Sequence, residues 1–88
     1  MKIMMLGEVV TFCRENDEIK EFWLEKIDIN KYRLLFFYYP GLSSDYKNFT
    51  DSLKDTYSYI DSIEFIEMSC KPKSMDLKNA ELVYCEQN

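Results

Sequence analysis

Carboxylates and thiols are the only side chains in this chain with obvious chemical potential, because it contains no histidine. That absence removes the commonest general base and the commonest metal ligand. It also makes a Ser-His-Asp or Cys-His arrangement impossible within one chain. Two carboxylate pairs have spacings that deserve a test as acid–base dyads. Asp51 and Asp55 lie one turn apart on a helix and so share a face, but Asn48 and Ser58 share it too, which reads as a solvated surface. Glu64 and Glu67 differ by an odd number, so a regular strand points them to opposite sides. The thiols Cys13, Cys70 and Cys85 form no CxxC pair, and an odd count fits a reducing compartment better than a disulfide scaffold. They are expected to be buried free thiols, with a Cys70–Cys85 bridge open on spacing alone. Zinc would have to rely on three scattered cysteines and carboxylates, which fits poorly. Two glycines cannot build a GxGxxG or GxxxxGK[ST] phosphate loop. No catalytic residue, metal or cofactor is expected, and the chain reads as a non-enzyme.

Charge and aromatic residues remain. The 88 residues carry a net charge of −5. Direct nucleic-acid binding normally needs a basic surface, so it is disfavoured. The local exception is the group Lys71, Lys73 and Lys78. The acids are concentrated: residues 8–28 hold seven acids against three bases, and residues 45–67 hold six against two. If both stretches face one way, the protein presents an acidic surface. Carboxylates at i and i+4 sit about 6 Å apart, close to the spacing of successive phosphates, so such a surface suits the basic cleft of a nucleic-acid enzyme. Aromatic residues make up 16% of the chain, more than a small core can fully hide. Tyr and Trp are enriched at binding hot spots. The partner-binding residues expected on this basis are Glu18, Glu21, Trp23, Tyr46, Asp51 and Asp55.

These residues need elements to hold them. With 47% apolar and 31% charged residues, the chain reads as one globular domain spanning 1–88. Residues 3–13 read as one strand or two short ones, because Val9, Val10, Thr11 and Phe12 are good strand formers. Residues 19–28 fit two patterns equally. As a helix they align Ile19, Phe22, Trp23 and Ile27, with Asn16 as N-cap. As a strand they place Ile19, Trp23 and Ile27 on one face and Phe22 and Leu24 on the other. Tyr32 to Tyr39 is the clearest strand. It is apolar on both faces and stops at Pro40-Gly41, so it should be central, buried and covered on both sides. A helix capped by Ser43 or Ser44 should run to about Tyr59, with Tyr46, Phe49, Leu53, Tyr57 and Ile60 facing inward. Strands should follow at 63–70 and 80–86, separated by a loop at 75–79 and able to pair as a hairpin. In the last strand, Leu82 and Tyr84 should face one way and Val83 and Cys85 the other.

The expected fold class is α+β: a small antiparallel or mixed sheet of four or five strands, covered by one or two helices. The strand, turn and helix from Leu34 to Phe49 lack the GxSxG elbow and histidine that an α/β-hydrolase needs. Gly41-Leu42-Ser43-Ser44 also lacks the nucleophilic cysteine of a thioredoxin-like domain. The functional expectation is a small acidic inhibitor or regulator that binds another protein with a basic surface. In size and charge it is comparable to phage-encoded inhibitors of nucleic-acid enzymes, such as anti-CRISPR proteins, and to toxin immunity proteins. The alternative is a dimerising adaptor or peptide-binding module. The N-terminal apolar run is too short for a signal-peptide core or a membrane span, so a cytoplasmic protein with no membrane partner is expected.

Overall fold

Leu34, Leu35, Phe36 and Phe37 are all buried, two on each face of one strand. A strand of that kind must lie inside a sheet, and it does. In the computed structural model, which describes residues 6–39, 46–71 and 80–86, the elements run α1 (Leu6–Glu15), β1 (Ile19–Asp28), β2 (Lys31–Tyr38), α2 (Lys47–Thr56), β3 (Ile60–Glu67), a 3-10 turn (Met68–Cys70) and β4 (Ala80–Cys85). The four strands form one mixed sheet in the order β3-β2-β1-β4. β1 and β2 are an antiparallel hairpin joined by Ile29 and Asn30, and β3 runs parallel to β2 after α2 crosses over. β4 pairs antiparallel with β1 on the far edge. The fold is the α+β arrangement read from the sequence, with a mixed sheet and two helices.

Several element assignments need correction. Residues 6–15 form a helix, not a strand, and residues 1–5 lie outside the described residues. Val9, Phe12 and Cys13 occupy offsets 0, 3 and 4 and are all buried. Strand propensity in Val and Thr costs a helix only a few tenths of a kcal/mol per residue, about the size of the propensity scale, so burial of one stripe outweighs it. Asn16 closes this helix instead of opening a second one, since its Nδ2 donates to the Phe12 carbonyl at 2.8 Å. Residues 19–28 are a strand, but its alternation is broken. A register shift between Ile19 and Glu21 turns Ile19 onto the same side as Phe22 and Leu24, away from Trp23. Ile27 ends up exposed near the hairpin tip.

Helix α2 is shorter than its apolar spacing implies. It begins after Tyr46 and ends at Thr56, while Ser43 and Ser44 fall outside the described residues. The inward positions hold: Tyr46 and Leu53 are buried, Phe49 and Tyr57 pack on the core, and Ile60 does so from the start of β3. The last two strands do not form a hairpin but lie on opposite edges of the sheet, and the loop expected at 75–79 is outside the described residues. In β4 a bulge between the pairs Phe22–Tyr84 and Trp23–Leu82 brings both Val83 and Tyr84 against the core, so strict alternation fails there as well.

Both helices pack on one face of the sheet. The core beneath them is an aromatic layer crossing three strands. Phe22, Phe36 and Phe65 are register neighbours on β1, β2 and β3, with stacked rings 4.8 and 4.9 Å apart. Phe12 of α1 meets Phe36 edge-on, and Tyr46 stacks on Phe65. The other face carries Glu21, Trp23, Glu25, Arg33, Leu35, Phe37, Glu64 and Ile66.

Candidate protein-binding surface

The two sides of the sheet treat their charges differently. On the face away from the helices, cations stand directly over the carboxylates. Lys71 Nζ pairs with Glu21, and Trp23 Nε1 donates to the same Glu21 oxygen at 2.8 Å. The ammonium also lies 5.6 Å from the ring centroids of both Trp23 and Phe37, a cation–π distance. Next to this cluster, Arg33 Nη1 pairs with Glu25 at 2.9 Å. Its Nε is 3.4 Å from Glu64, an ion pair without hydrogen-bond geometry. Glu21, Trp23 and Arg33 are half-buried by these contacts. At the sheet rim, Lys20 pairs with Glu86 at 2.8 Å and lies 5.6 Å from the Tyr39 ring.

On the helix side the balance is different. α1, α2 and the turn after α1 carry six acids, Glu8, Glu15, Asp17, Glu18, Asp51 and Asp55, against three bases, Arg14, Lys47 and Lys54. None of the ion pairs among the described residues involves any of these six acids. Two of them accept hydrogen bonds from tyrosines. Tyr57 donates to Glu8 at 3.0 Å, which raises the Tyr57 pKa. Tyr46 donates to Glu18 and, at 3.3 Å, to Asn16. The Tyr46 hydroxyl is the main reason the Glu18 carboxyl is held below its ordinary range. Glu15, Asp17, Asp51 and Asp55 are exposed.

The structure separates the six residues expected to bind a partner. Asp51 and Asp55 share the outer face of α2. Glu18 is tied to the start of α2 through Tyr46. Glu21 and Trp23 lie on the opposite face of the sheet, so the stretch from Glu15 to Glu25 does not present one acidic surface. Alternation along β1, together with the register shift after Ile19, accounts for the split. Tyr46 is buried between Phe12 and Phe65 and serves the core, not a surface anchor. What sequence reading missed is the pairing of Glu21 and Glu25 with Lys71 and Arg33. The Arg33–Glu25 contact follows from hairpin register, but Lys71 is 50 residues from Glu21 and no local pattern marks it.

The thiols divide as well. Burial pushes the Cys13 thiol up to about 12, whereas Cys70 and Cys85 are exposed, which corrects the expectation that all three are buried. All three are free, and the Cys70–Cys85 bridge left open by spacing is not formed. Among the described residues no three Cys, Asp or Glu side chains gather as metal ligands. No described helix is long and apolar enough to cross a membrane.

No protein-family model, no curated protein and no solved structure matches this chain.

Proposed function

We propose that this protein acts by binding a basic macromolecular partner, a protein, through the outer surface of α1 and α2. The observation that carries the reading is the contrast just described. On the far face of the sheet Glu21, Glu25 and Glu64 are paired with cations of the fold, while Glu15, Asp17, Asp51 and Asp55 are exposed and take part in none of the ion pairs among the described residues. The six acids of the two helices and the turn after α1 outnumber their three bases, and such a net negative charge accelerates encounter with a surface of opposite sign. Asp51 and Asp55, one turn apart on α2, offer the phosphate-like spacing that suits a basic nucleic-acid cleft. An inhibitor of a nucleic-acid enzyme, of the anti-CRISPR kind, or a toxin immunity protein meets this description. The role is stoichiometric and not enzymatic. The absence of histidine and the unreactive Cys13 support that part of the reading. Free, exposed Cys70 and Cys85 favour a cytoplasmic setting.

The test is affinity capture from host lysate, followed by association kinetics with the captured partner at low and moderate salt. Association should slow as salt rises, and Asp51→Lys with Asp55→Lys should slow it by about tenfold or more. Salt-independent association, unchanged by that double reversal, would reject the acidic-surface reading.

A second reading rests on the sheet edges. Among the described residues β3 and β4 each pair on one side only, so either edge can accept an added strand from a peptide or a second copy. Leu82, on β4, is one of the few large apolar residues exposed among the described residues.

A further inference from the structure

Between α1 and α2 runs an open groove of about 450 Å³, lined by Gly7, Glu8, Thr11, Phe12, Glu15 and Phe49. Its floor is aromatic: the Phe12 and Phe49 rings stack with centroids 3.9 Å apart and planes 7° from parallel. Its wall is one face of α1. Glu8 and Glu15 are seven positions apart on that wall, so they stand two turns, or about 10 Å, from each other along the axis. Tyr57 fixes the Glu8 carboxylate by its 3.0 Å hydrogen bond. Gly7 leaves its end of the groove clear, because even a Cβ there would meet no atom within 4 Å.

We infer that this groove holds an arginine side chain of the basic partner, and thus supplies the anchor that the acidic helix surface steers into place. The inference rests on the protein-binding reading above and goes beyond it by naming the recognised group. An arginine has two parts that match the two parts of the groove. Its methylene stem suits the Phe12–Phe49 floor, and its flat, weakly hydrated guanidinium donates to carboxylates in paired geometry. A purely apolar side chain would cover Glu8 and Glu15 without giving them a partner, which is costly. An acidic side chain would be repelled. Lysine carries the charge but lacks the planar fork and is held more tightly by water.

The experiment needs no knowledge of the partner. The isotopically labelled full chain is titrated with acetyl-Ala-Arg-Ala-amide, and separately with the same peptide carrying citrulline, which has nearly the same shape without the charge. Saturable shifts are expected at the amides of Gly7, Thr11 and Phe49 with the arginine peptide, and binding at least about tenfold weaker with citrulline, the order expected for losing a charge-assisted contact. Glu8→Gln keeps the Tyr57 hydrogen bond and Glu15→Gln touches only the rim, so the double variant should fold and lose most of the arginine response. Thr11→Trp, which fills the groove from an exposed position, should abolish it. Equal responses to both peptides, scattered shifts, or an undiminished response in Thr11→Trp would each overturn the assignment. Failure here, with association to the captured partner still slowed by Asp51→Lys and Asp55→Lys, removes the groove alone. A normal groove response with association indifferent to those reversals removes the broad acidic-surface reading and keeps the arginine site.

Discussion

The two faces of this sheet bury aromatic residues to a similar degree and yet are built differently. Phe36, on the helix side, meets Phe12, Phe22 and Phe65 and sits under two helices. Phe37, its neighbour on the same strand, is 1% exposed, and its described company includes the Lys71 ammonium and the Trp23–Glu21 cluster. The first face is held by apolar packing and keeps its charges on the outer surface of the helices. The second mixes apolar and ionic groups and satisfies its charges internally. A strand apolar on both faces therefore serves two kinds of contact, and the acids of the helices and the turn after α1 lie outside the ion pairs among the described residues.

The sharpest way to break this comparison is to remove an aromatic ring from each face. Phe36→Ala should cost about 3–5 kcal/mol, the range for a fully buried phenylalanine. That is a large share of the roughly 5–15 kcal/mol available to a domain of this size. Urea denaturation should show the loss, and Phe37→Ala should cost less because its cover is partly a flexible lysine. Equal losses would mean that the second face is as tightly packed as the first.

Next in size is the ionic cover itself. Lys71→Met keeps most of the apolar stem but leaves the half-buried Glu21 without its cation, so a loss of about 1–3 kcal/mol is expected. The loss should appear as a lower denaturation midpoint at neutral pH. Glu21→Gln in the same background should cost little more, and a fully additive loss would assign the effect of Lys71 to packing.

A smaller effect tests the link between α2 and the turn before β1. Tyr46→Phe removes the hydroxyl that Glu18 accepts, at a cost of about 0.5–1.5 kcal/mol. The Glu18 pKa is lowered in the fold, so its contribution is present above the ordinary carboxylate value of about 4.3 and is lost as pH falls through the lower folded value. In Tyr46→Phe the Glu18 pKa should return towards the ordinary range in an NMR titration, and that part of the acid sensitivity should disappear. An unchanged Glu18 titration would remove Tyr46 as its cause.

The smallest stability effect belongs to the proposed interface. Asp51→Lys with Asp55→Lys alters exposed positions on α2 and should change unfolding free energy by less than about 0.5 kcal/mol per site. A large loss would mean that these acids support the fold, and the contrast between the two faces would no longer mark a binding surface.

The apolar composition of β2 and the inward stripe of α2 were legible because each is a property of a few neighbouring residues. Tyr46, Phe49, Leu53 and Tyr57 can face inward only in a helix, and Leu34 to Phe37 can bury four consecutive side chains only in a strand covered on both sides. The α+β class, the centrality of β2 and the exposure of Asp51 and Asp55 follow from such patterns. Residues 6–15 misled, and residues 19–28 stayed open between helix and strand, for the same reason. Their local preferences for helix and strand differ by little, and the choice was made by what each segment packs against.

Tertiary structure alone decided the rest. The placement of β3 and β4 on opposite edges, the shifts that turn Ile19 inward and bring both Val83 and Tyr84 to the core, and the burial of Tyr46 all come from contacts between distant elements. So does the fate of the charges. Glu21 is neutralised by Lys71, 50 residues away, and Glu8 is fixed by Tyr57, 49 residues away. The sequence by itself determined how many carboxylates there would be and which segments would carry them. Which ones meet a cation inside the fold depends on side chains brought together only after the sheet is assembled, because ion pairing falls off within a few ångströms whatever the separation along the chain.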